Sequence, residues 1–483
     1  MGKTTQKLTR VDTAWLRMED PTNLMMSSGL LLFARPLTVE EVTAVLERRL
    51  DGFPRFRMKV VEPSLGIGSP TWVVDQNFDL RSHIHRVALP SPGGQTELQA
   101  LVSDLVSTPL DFTKPPWQIH LIDGVGGGCG VLSRIHHCMA DGIALMHVLW
   151  SLTDETPTVG QTSRTTPVEA SDPGIRGQLL SGFSTALRHP DAAVRVAEAA
   201  LTATAATVRL TFARPDSLTV LKGPLGATKR AAWSEPLSLA DLKRVARDLD
   251  ATFNDVMMAA VAAGMSDYLA GRGEDVDSAL VRAAVPVNLR PVDRAGDLGN
   301  VFGLVFGELP LRAALAEDRV RQVKRLMEEA KRSREADASL VVLALFGSLP
   351  GWLQPAAINF FGEKASLTMT NVPGPSAPRY MAGHRIEDVM FWAPVSGRLG
   401  LGISIATYAG QVRVGVVGDV GLVPDPELIV QLIERELREL TQVGLGTGPA
   451  QKPAGKPGPR RRPRSPRVGP GVRTRVRVPS AAR

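Results

Sequence analysis

Cysteine is scarce in this chain, whose 483 residues include two, Cys129 and Cys138. Two thiols cannot build a disulfide framework, so we expect the protein to work in a reducing compartment. The two cysteines also do not form a Cys-x-x-Cys pair. Their number and their spacing therefore do not indicate a zinc site held by thiolates.

Long apolar runs are missing as well. Charged residues recur every few positions in the first 20 residues, so no signal peptide for export is indicated. Residues 340–361 are about as long as a membrane span, but Pro350, Gly351 and Pro355 interrupt them. We expect two short buried or interfacial helices there, not one helix that crosses a membrane.

Acidic residues are absent from the C-terminal tail, residues 446–483, which holds two Lys and nine Arg. The tail thus contributes +11 to a net charge of +7, which leaves −4 for the rest of the chain. Because the tail is rich in Pro and Gly and has almost nothing to bury, we predict that it is disordered. We favour a solubilising extension over one that touches anionic lipid or nucleic acid by charge. The mildly acidic body does not indicate a specific nucleic-acid partner.

The stretch that carries candidate chemistry is residues 134–150. His136 and His137 stand side by side, and Asp141 and Gly142 follow after three further residues. The alternating residues before the histidines predict a strand, and the apolar run after Gly142 predicts a helix. The histidines therefore lie where a strand ends and a helix begins, a position that often carries function.

Adjacent side chains on a strand point to opposite faces, so one of the two histidines can face a cleft while the other packs. An imidazole suits proton transfer from a nucleophile to a leaving group, because it titrates near neutral pH. Asp141 can cap the helix or pair with a cation, and Gly142 allows a tight turn or close packing. The alternatives are packed or solvated histidines and a metal site, which would need further ligands.

The remaining chain predicts a mixed α/β fold. Strands are expected near residues 24–33, 72–74, 118–122, 130–136, 283–288, 301–309, 364–370, 399–408 and 411–419, and helices near residues 38–50, 98–107, 142–150, 238–247, 254–270, 316–334 and 427–440. Both halves mix strands with helices, which predicts two similar lobes with the histidine strand at their junction. Residues 153–174 are typical of a linker, and residues 175–212 predict two helices that lie on a membrane or on the core.

Three more residues invite a structural and a functional interpretation. Trp117 enters a predicted buried strand and is most simply a core anchor. Asn254 and Asp255 open an Ala-rich helix and are most simply its N-terminal caps.

Together these elements resemble the bacterial wax ester synthase/diacylglycerol acyltransferase family. Residues 136–142, HHCMADG, match every fixed position of its HHxxxDG motif. The other family elements follow in order: PPW (115–117, with Pro for the usual Leu) with LIDG (121–124), NDV (254–256), PVNLR (286–290), LGN (298–300) and TNVPGP (370–375, with Thr for the usual Ser). Condensation domains of peptide synthetases share HHxxxDG, so the ordered set carries the resemblance, which spans residues 8–442.

The resemblance implies two lobes like those of chloramphenicol acetyltransferase, with mixed sheets flanked by helices and a tunnel between the lobes. We place an N-terminal lobe at residues 1–152, a linker with a helical crossover at 153–230, a C-terminal lobe at 231–445 and the tail at 446–483. Acyl-CoA as co-substrate and an acceptor alcohol would meet in the tunnel, with no cofactor and no metal.

The resemblance also implies residue roles. His137 would be the general base that takes the proton from diacylglycerol or a long-chain alcohol and protonates departing CoA, without an acyl-enzyme. His136 would support it, and Asp141 would pair with Arg290 of the second lobe. The candidates for the cleft or its support are Gly142, Trp117, Asn254, Asp255 and Asn371.

Two other functions remain open from the sequence. One is a condensation-type enzyme that uses carrier-bound substrates, and the other is a catalytically weak homologue that coats lipid bodies or membranes. In the acyltransferase interpretation we expect a cytoplasmic protein held peripherally at the inner face of the membrane or at lipid bodies.

Overall fold

The structure, a computed structural model, describes residues 5–63, 68–158, 214–290, 298–313, 315–332, 335–348, 359, 362–395 and 397–444. The predicted helices within residues 175–212 and the predicted disordered tail at 446–483 lie outside the described residues. Residues 5–158 form the first half of the chain, and residues 214–444 form the second half.

The first half alternates strands and helices much as the pattern of apolar residues predicts. Its helices are α1 (Arg10–Arg17), α2 (Val39–Arg49), α3 (Gln95–Val106) and α4 (Gly142–Ser151). Its strands are β1 (Thr5–Lys7), β2 (Met26–Phe33), β3 (Met58–Val61), β4 (Thr71–Val74), β5 (Ile84–Ala88), β6 (Trp117–Val125) and β7 (Gly128–His136). Three short 3-10 turns span Leu50–Gly52, Pro54–Arg57 and Leu80–His83.

The second half is also mixed. Its strands are β8 (Lys229–Trp233), β9 (Leu237–Ser238), β10 (Arg282–Asn288), β11 (Phe302–Glu308), β12 (Leu367–Pro373), β13 (Tyr380–Met381), β14 (His384–Arg385), β15 (Asp388–Trp392), β16 (Leu401–Tyr408) and β17 (Gln411–Asp419). Its helices are α5 (Leu239–Asp248), α6 (Phe253–Gly271), α7 (Ala316–Arg332), α8 (Glu335–Ser348) and α9 (Pro426–Gly444).

Two large sheets organise the fold. The first sheet has the order β15-β2-β7-β6-β5, and the second has the order β11-β10-β12-β16-β17-β8, with β9 also paired to β17. Both sheets are mixed, because β5 pairs parallel with β6, and β12 pairs parallel with β10 and β16. The predicted mixed α/β class is confirmed.

Strand β15 belongs to the second half by sequence but completes the first sheet. It pairs antiparallel with β2, with Asp388 opposite Leu32 and Trp392 opposite Ser28. We did not predict this strand, because five residues among turns give too short an alternation to be recognised. The crossover means that the two halves share a sheet as well as a surface.

Local signals explain most helix starts. Thr38 caps α2 in a capping box with Glu41, as its position before an apolar-periodic segment predicts. Ser238 accepts from the backbone N–H of Asp241 at the start of α5. Helix α1 was not predicted, because it is eight residues long and buries Asp12 and Thr13, which hides its apolar face.

The second sheet packs against a long buried helix. Helix α6 is buried along most of its length and contacts α5, α7 and α9. Helix α8, which includes residues 340–348 of the apolar stretch 340–361, packs on α1 of the first half. Within the described ranges, we find no helix that combines the length and the apolar character needed to cross a membrane.

Candidate active site

The backbone of His137 is held from both halves of the chain. His137 follows the last residue of β7, and its N–H donates to the carbonyl of Met25 at 2.8 Å. Its own carbonyl accepts from the side-chain N–H of Asn300, in the second half, at 2.8 Å. The residue therefore cannot shift without breaking contacts to both halves.

The imidazole of His137 packs against two aromatic rings that also contact each other. Trp15 of α1 stacks on it, with 4.4 Å between ring centroids and 27° between planes. Phe302, the first residue of β11, packs on it at 5.6 Å and 57°. The ring borders a cavity, and its Nδ1 is buried, which leaves Nε2 as the nitrogen available to a substrate.

Burial, and to a smaller extent the neighbouring His136, lowers the pKa of His137 from 6.5 to about 4. The carbonyl of His137 itself and the side chain of Asn300 oppose the shift. An imidazole with this pKa is neutral at pH 7, so it is ready to accept a proton. It is also a weak base, because the surroundings disfavour the imidazolium.

His136 has different partners from His137. The backbone N–H of Cys138 donates to its Nδ1 at 3.1 Å, so Nδ1 is the unprotonated nitrogen. Its Nε2 lies 3.3 Å from a carboxylate oxygen of Glu19, the same oxygen that accepts from the backbone of Met25. His136 thus connects through Glu19 to the segment that holds His137, as a supporting residue would.

Asp141 and Arg290 form the predicted ion pair, 2.7 Å apart and almost completely buried. The Asp141 carboxylate also accepts hydrogen bonds from the backbone N–H groups of Ala144 and Val301. The bond from Ala144 makes Asp141 the N-cap of α4. Arg290 donates a second bond to the carbonyl of Gly299 at 2.7 Å. Burial raises the pKa of Asp141, and the Arg290 charge opposes that rise. These contacts are structural, since they use both carboxylate oxygens.

A second buried carboxylate, that of Asp12, supports the backbone of His137 through Asn300. Asp12 of α1 accepts from the backbone and side-chain N–H groups of Asn300, at 3.1 and 2.7 Å. Its other oxygen lies 3.8 Å from Arg55, which donates to the carbonyl of Met139 at 2.9 Å. Burial raises the pKa of Asp12, and the charge of Arg55 opposes this rise. Asp12 and Arg55 together immobilise the backbone on both sides of Cys138.

A cavity of about 560 Å³ opens beside His137 and has walls from both halves. This volume suits a small-molecule ligand. Most of the lining is apolar. Within the first half the wall is formed by side chains of α2, α4 and the first sheet, such as Val42, Leu46, Leu145, Leu149 and Leu31. Towards the second half it is formed by Met258, Val285, Leu304, Met327 and Met369.

Of the residues predicted for the cleft or its support, the structure places some in the cavity wall and one, Asp255, in a helix cap. Asn254 and Asn371 both line the cavity, and the Asn371 amide donates to the Asn254 carbonyl oxygen at 2.6 Å. Asp255 is buried away from this wall and forms a capping box with Thr252. Thr252 is therefore the N-cap of α6, and the interpretation of Asn254 as a cap is wrong, because a residue inside the first turn cannot fill that position.

Gly142 and Trp117 also line the cavity. A Cβ at Gly142 would meet nothing within 4 Å, so neither close packing nor a tight turn explains this glycine. Its lack of a side chain instead leaves space in the cavity. The indole of Trp117 donates to the carbonyl of Phe56 at 2.8 Å and stacks on His83, so it is a core anchor that also forms part of the wall.

The sequence matches two family models. Residues 8–257 match the catalytic domain of wax ester synthase/diacylglycerol acyltransferase, and residues 298–441 match the C-terminal domain of the same family. The chain belongs to the wax ester synthase/diacylglycerol acyltransferase family. The resemblance found in the ordered motifs is thereby confirmed.

Individual relatives agree with this membership. A protein of Mycobacterium tuberculosis named as the probable diacylglycerol O-acyltransferase tgs1 is 29% identical over 450 residues, which cover 90% of this chain and 96% of the relative. The solved structure of the wax ester synthase/diacylglycerol acyltransferase of Marinobacter aquaeolei VT8 matches with a TM-score of 0.67 and 23% identity, over 91% of this chain and 100% of that one. The starter condensation domain of rhizomide synthetase RzmA matches with a TM-score of 0.60 and 15% identity, over 92% and 95%. At such identities the two structures show a shared fold alone.

Several residues of this acyltransferase-family site were missed in the sequence. Trp15, Asp12 and Glu19 lie more than 100 positions from the histidines, and no local spacing joins them to the motif. Asn300 was recognised as part of LGN without a role. The available signal was an Asp and a Trp on one face of a short segment, three positions apart as on a helix.

We expect Arg290→Gln to destabilise the protein by about 3–5 kcal/mol at pH 7, because it leaves the Asp141 carboxylate buried without its charge partner. Denaturant unfolding measures the change. The loss should shrink at pH 5, because burial without Arg290 raises the pKa of Asp141 further and the carboxyl then takes up a proton.

The matched control is Arg57→Gln. Arg57 lies 2.8 Å from Asp51, but both side chains are half exposed, so the cost should stay below about 1 kcal/mol. Equal losses for the two variants would show that the buried pair does not join the halves.

Proposed function

We propose that this protein is an acyl-CoA-dependent O-acyltransferase that transfers a long-chain acyl group to the hydroxyl of diacylglycerol, and to long-chain alcohols as a second class of acceptor. The observation that carries the proposal is a neutral, buried His137 whose Nε2 is available to an apolar cavity built by both halves. The name of the mycobacterial relative supports diacylglycerol as the acceptor.

The reaction follows from one imidazole. Nε2 of His137 accepts the proton of the acceptor hydroxyl while the oxygen attacks the thioester carbonyl of acyl-CoA. The C–O bond forms, the carbonyl becomes an oxyanion, and collapse of this intermediate breaks the C–S bond. The imidazolium then returns its proton to the CoA sulfur, so ester and free CoA leave and His137 is neutral again. No cofactor and no acyl-enzyme enters this sequence.

A base with a pKa of about 4 does not remove a hydroxyl proton completely before attack. Proton transfer is therefore coupled to formation of the C–O bond, and the fixed position of His137 matters more than its basicity. The hydrogen bonds of its backbone to Met25 and Asn300 supply that position.

Asn254 is proposed as a cleft-lining hydrogen-bond donor. Its side-chain oxygen accepts from Asn371, so its own N–H groups are turned to other partners. Both residues lie in the cavity wall. An amide oriented in this way can donate to a substrate carbonyl or to the oxyanion.

The two walls of the cavity suggest separate places for two chains. We propose that α2 and α4 of the first half enclose one alkyl chain, and that the Met-rich wall of the second half encloses the other. Leu149 of α4 is part of the first wall, and Met258 of α6 is part of the second.

We propose peripheral association with the cytoplasmic face of the membrane or with lipid bodies. Diacylglycerol and long acyl chains are insoluble in water, so they reach the cavity from a lipid phase. Val341 and Leu345 of α8 are about half exposed, at 48% and 56%. Helix α8 packs on α1, which carries Trp15 of the cavity wall.

We expect His137→Ala to abolish acyl transfer from palmitoyl-CoA to diacylglycerol while its circular dichroism and melting temperature stay close to wild type. Loss of a general base lowers turnover by about 10²- to 10⁴-fold. The measurement is ester formation from labelled palmitoyl-CoA, with diacylglycerol and hexadecanol offered in competition.

His85→Ala serves as the control, because His85 is an exposed histidine of β5 outside the cavity, and it should keep full turnover. In the wild type, kcat/KM should stay constant from about pH 8 down to pH 5 and fall near pH 4, where His137 becomes protonated. Wild-type turnover in folded His137→Ala would end the proposal.

We expect Leu149→Trp and Met258→Trp to shorten the preferred chain on one substrate each, because each indole fills one wall of the cavity. Acyl-CoA donors and alcohol acceptors of increasing length are compared at fixed concentration. Each variant should lower activity with the longest chains by about tenfold or more on its own substrate. If both variants shorten donor and acceptor preference equally, the chains do not have separate places.

We expect the double substitution Val341→Ser and Leu345→Ser to weaken binding to lipid vesicles about tenfold or more, because two apolar side chains no longer enter the lipid. Cosedimentation with neutral and anionic vesicles measures this, and Leu428→Ser, at an exposed leucine of α9, is the control. Deletion of residues 446–483 should leave binding to both kinds of vesicle unchanged, because we interpret this tail as a solubilising extension. Weaker binding to anionic vesicles alone would show that the tail contacts lipid by its charge. Unchanged vesicle binding in the double variant would show that α8 does not contact the lipid.

A further inference from the structure

Trp15 contacts His137 directly, but the proposed reaction gives it no role. It is buried in α1, and its indole stacks on the imidazole of His137 at 4.4 Å between centroids. Its Nε1 makes no hydrogen bond with the described residues. Packing on His137 and on Phe302, 5.7 Å away, therefore sets its orientation.

The face of an indole carries negative charge density from its π system and attracts cations more strongly than other aromatic faces. A neutral imidazole gains little from this attraction, whereas an imidazolium gains much more. In the proposed reaction His137 is neutral with substrates bound and cationic only as the proton moves. An interaction that strengthens only then raises kcat and leaves substrate binding unchanged.

No carboxylate in the described part of the chain pairs with the His137 ring. The charged and titratable groups around it are already engaged with one another: Asp12 with Asn300 and Arg55, Glu19 with His136, and Asp141 with Arg290. The Cys138 thiol is buried, and burial raises its pKa well above 9, so it stays neutral. The groups that favour the imidazolium are thus the carbonyl of His137, the side chain of Asn300 and the stacked indole.

We propose that Trp15 is a positioning residue that holds the ring of His137 and stabilises its cationic form in the transition state through the indole face. This inference rests on the proposed role of His137 as general base. The indole is held firmly, because α1 lies against α8 so closely that a Cβ at Gly347 would be 1.6 Å from the carbonyl oxygen of Arg10. Apolar side chains of α1, β11 and α8 complete the packing around it.

Fluorinated tryptophans test the electrostatic part, because each fluorine weakens the negative face while leaving the shape nearly unchanged. Fluoro-, difluoro-, trifluoro- and tetrafluorotryptophan are incorporated at position 15 by nonsense suppression, and kcat and KM are measured with palmitoyl-CoA and diacylglycerol. We expect log kcat to fall steadily with each fluorine, by about tenfold over the series, with KM within about twofold of wild type. A flat series would overturn the proposal.

The same series at Trp150 is the matched control. Trp150 stacks on Tyr408, with 5.7 Å between centroids and 3° between planes, and does not line the cavity. Its fluorination should leave kcat unchanged. An equal fall at both positions would show a general effect of fluorine and would also overturn the proposal.

Trp15→Leu and Trp15→Phe separate electrostatics from packing by the direction of a pH shift. Loss of the indole face disfavours the imidazolium, so the fall of kcat/KM in acid should occur at a lower pH than in the wild type. We expect this shift to be larger for Trp15→Leu than for Trp15→Phe. If the substitution instead loosened the pocket and admitted water, the fall of kcat/KM in acid would occur at a higher pH, towards about 6.5. An upward shift would assign Trp15 a packing role alone, and the fluorine series decides the matter if the Leu variant does not fold. Retained turnover in His137→Ala is the separate result that would remove the general base itself.

Discussion

The ion pair between Asp141 and Arg290 is the interaction on which the site depends. Each charge alone would cost several kcal/mol to bury, and each is buried because the other half supplies its partner. The same Asp141 carboxylate caps α4 and accepts from Val301. One side chain therefore sets the start of a helix, the approach of the second half and, four residues earlier in the chain, the place of His137.

The charges of the site surround its reactive group without touching it. Three carboxylates lie around the histidine pair, and each has its own partners. Asp12 is paired with Asn300 and Arg55, Glu19 with His136, and Asp141 with Arg290. The imidazole in the centre meets aromatic and apolar groups, so burial keeps it neutral. Such a site suits a reaction in which charge develops only in the transition state. The paired side chains around His137 do not have to rearrange when that charge develops.

The sequence allowed prediction wherever the signal is local. The strand before the histidines, the capped start of α2 and the helix after Asp141 follow from periodicity and capping residues a few positions apart. The partner of Asp141 lies 149 positions away and became predictable only through the family motif that contains Arg290. Trp15 and Asp12 stayed hidden, because a contact between distant segments leaves no spacing to read. Asn254 was misinterpreted as a cap, because Thr252 two positions earlier offers the same chemistry and the structure uses it.

Strand β15 has a consequence for how the protein forms. During synthesis β2 leaves the ribosome early, yet its outer edge stays open until residues 388–392 have been made. The first half cannot finish its sheet alone, and an open edge invites pairing with other chains. Neither half has a complete set of paired strands by itself, because the first half would lack β15 and the second would carry β15 without a partner. The shared sheet makes the two halves a single folding unit.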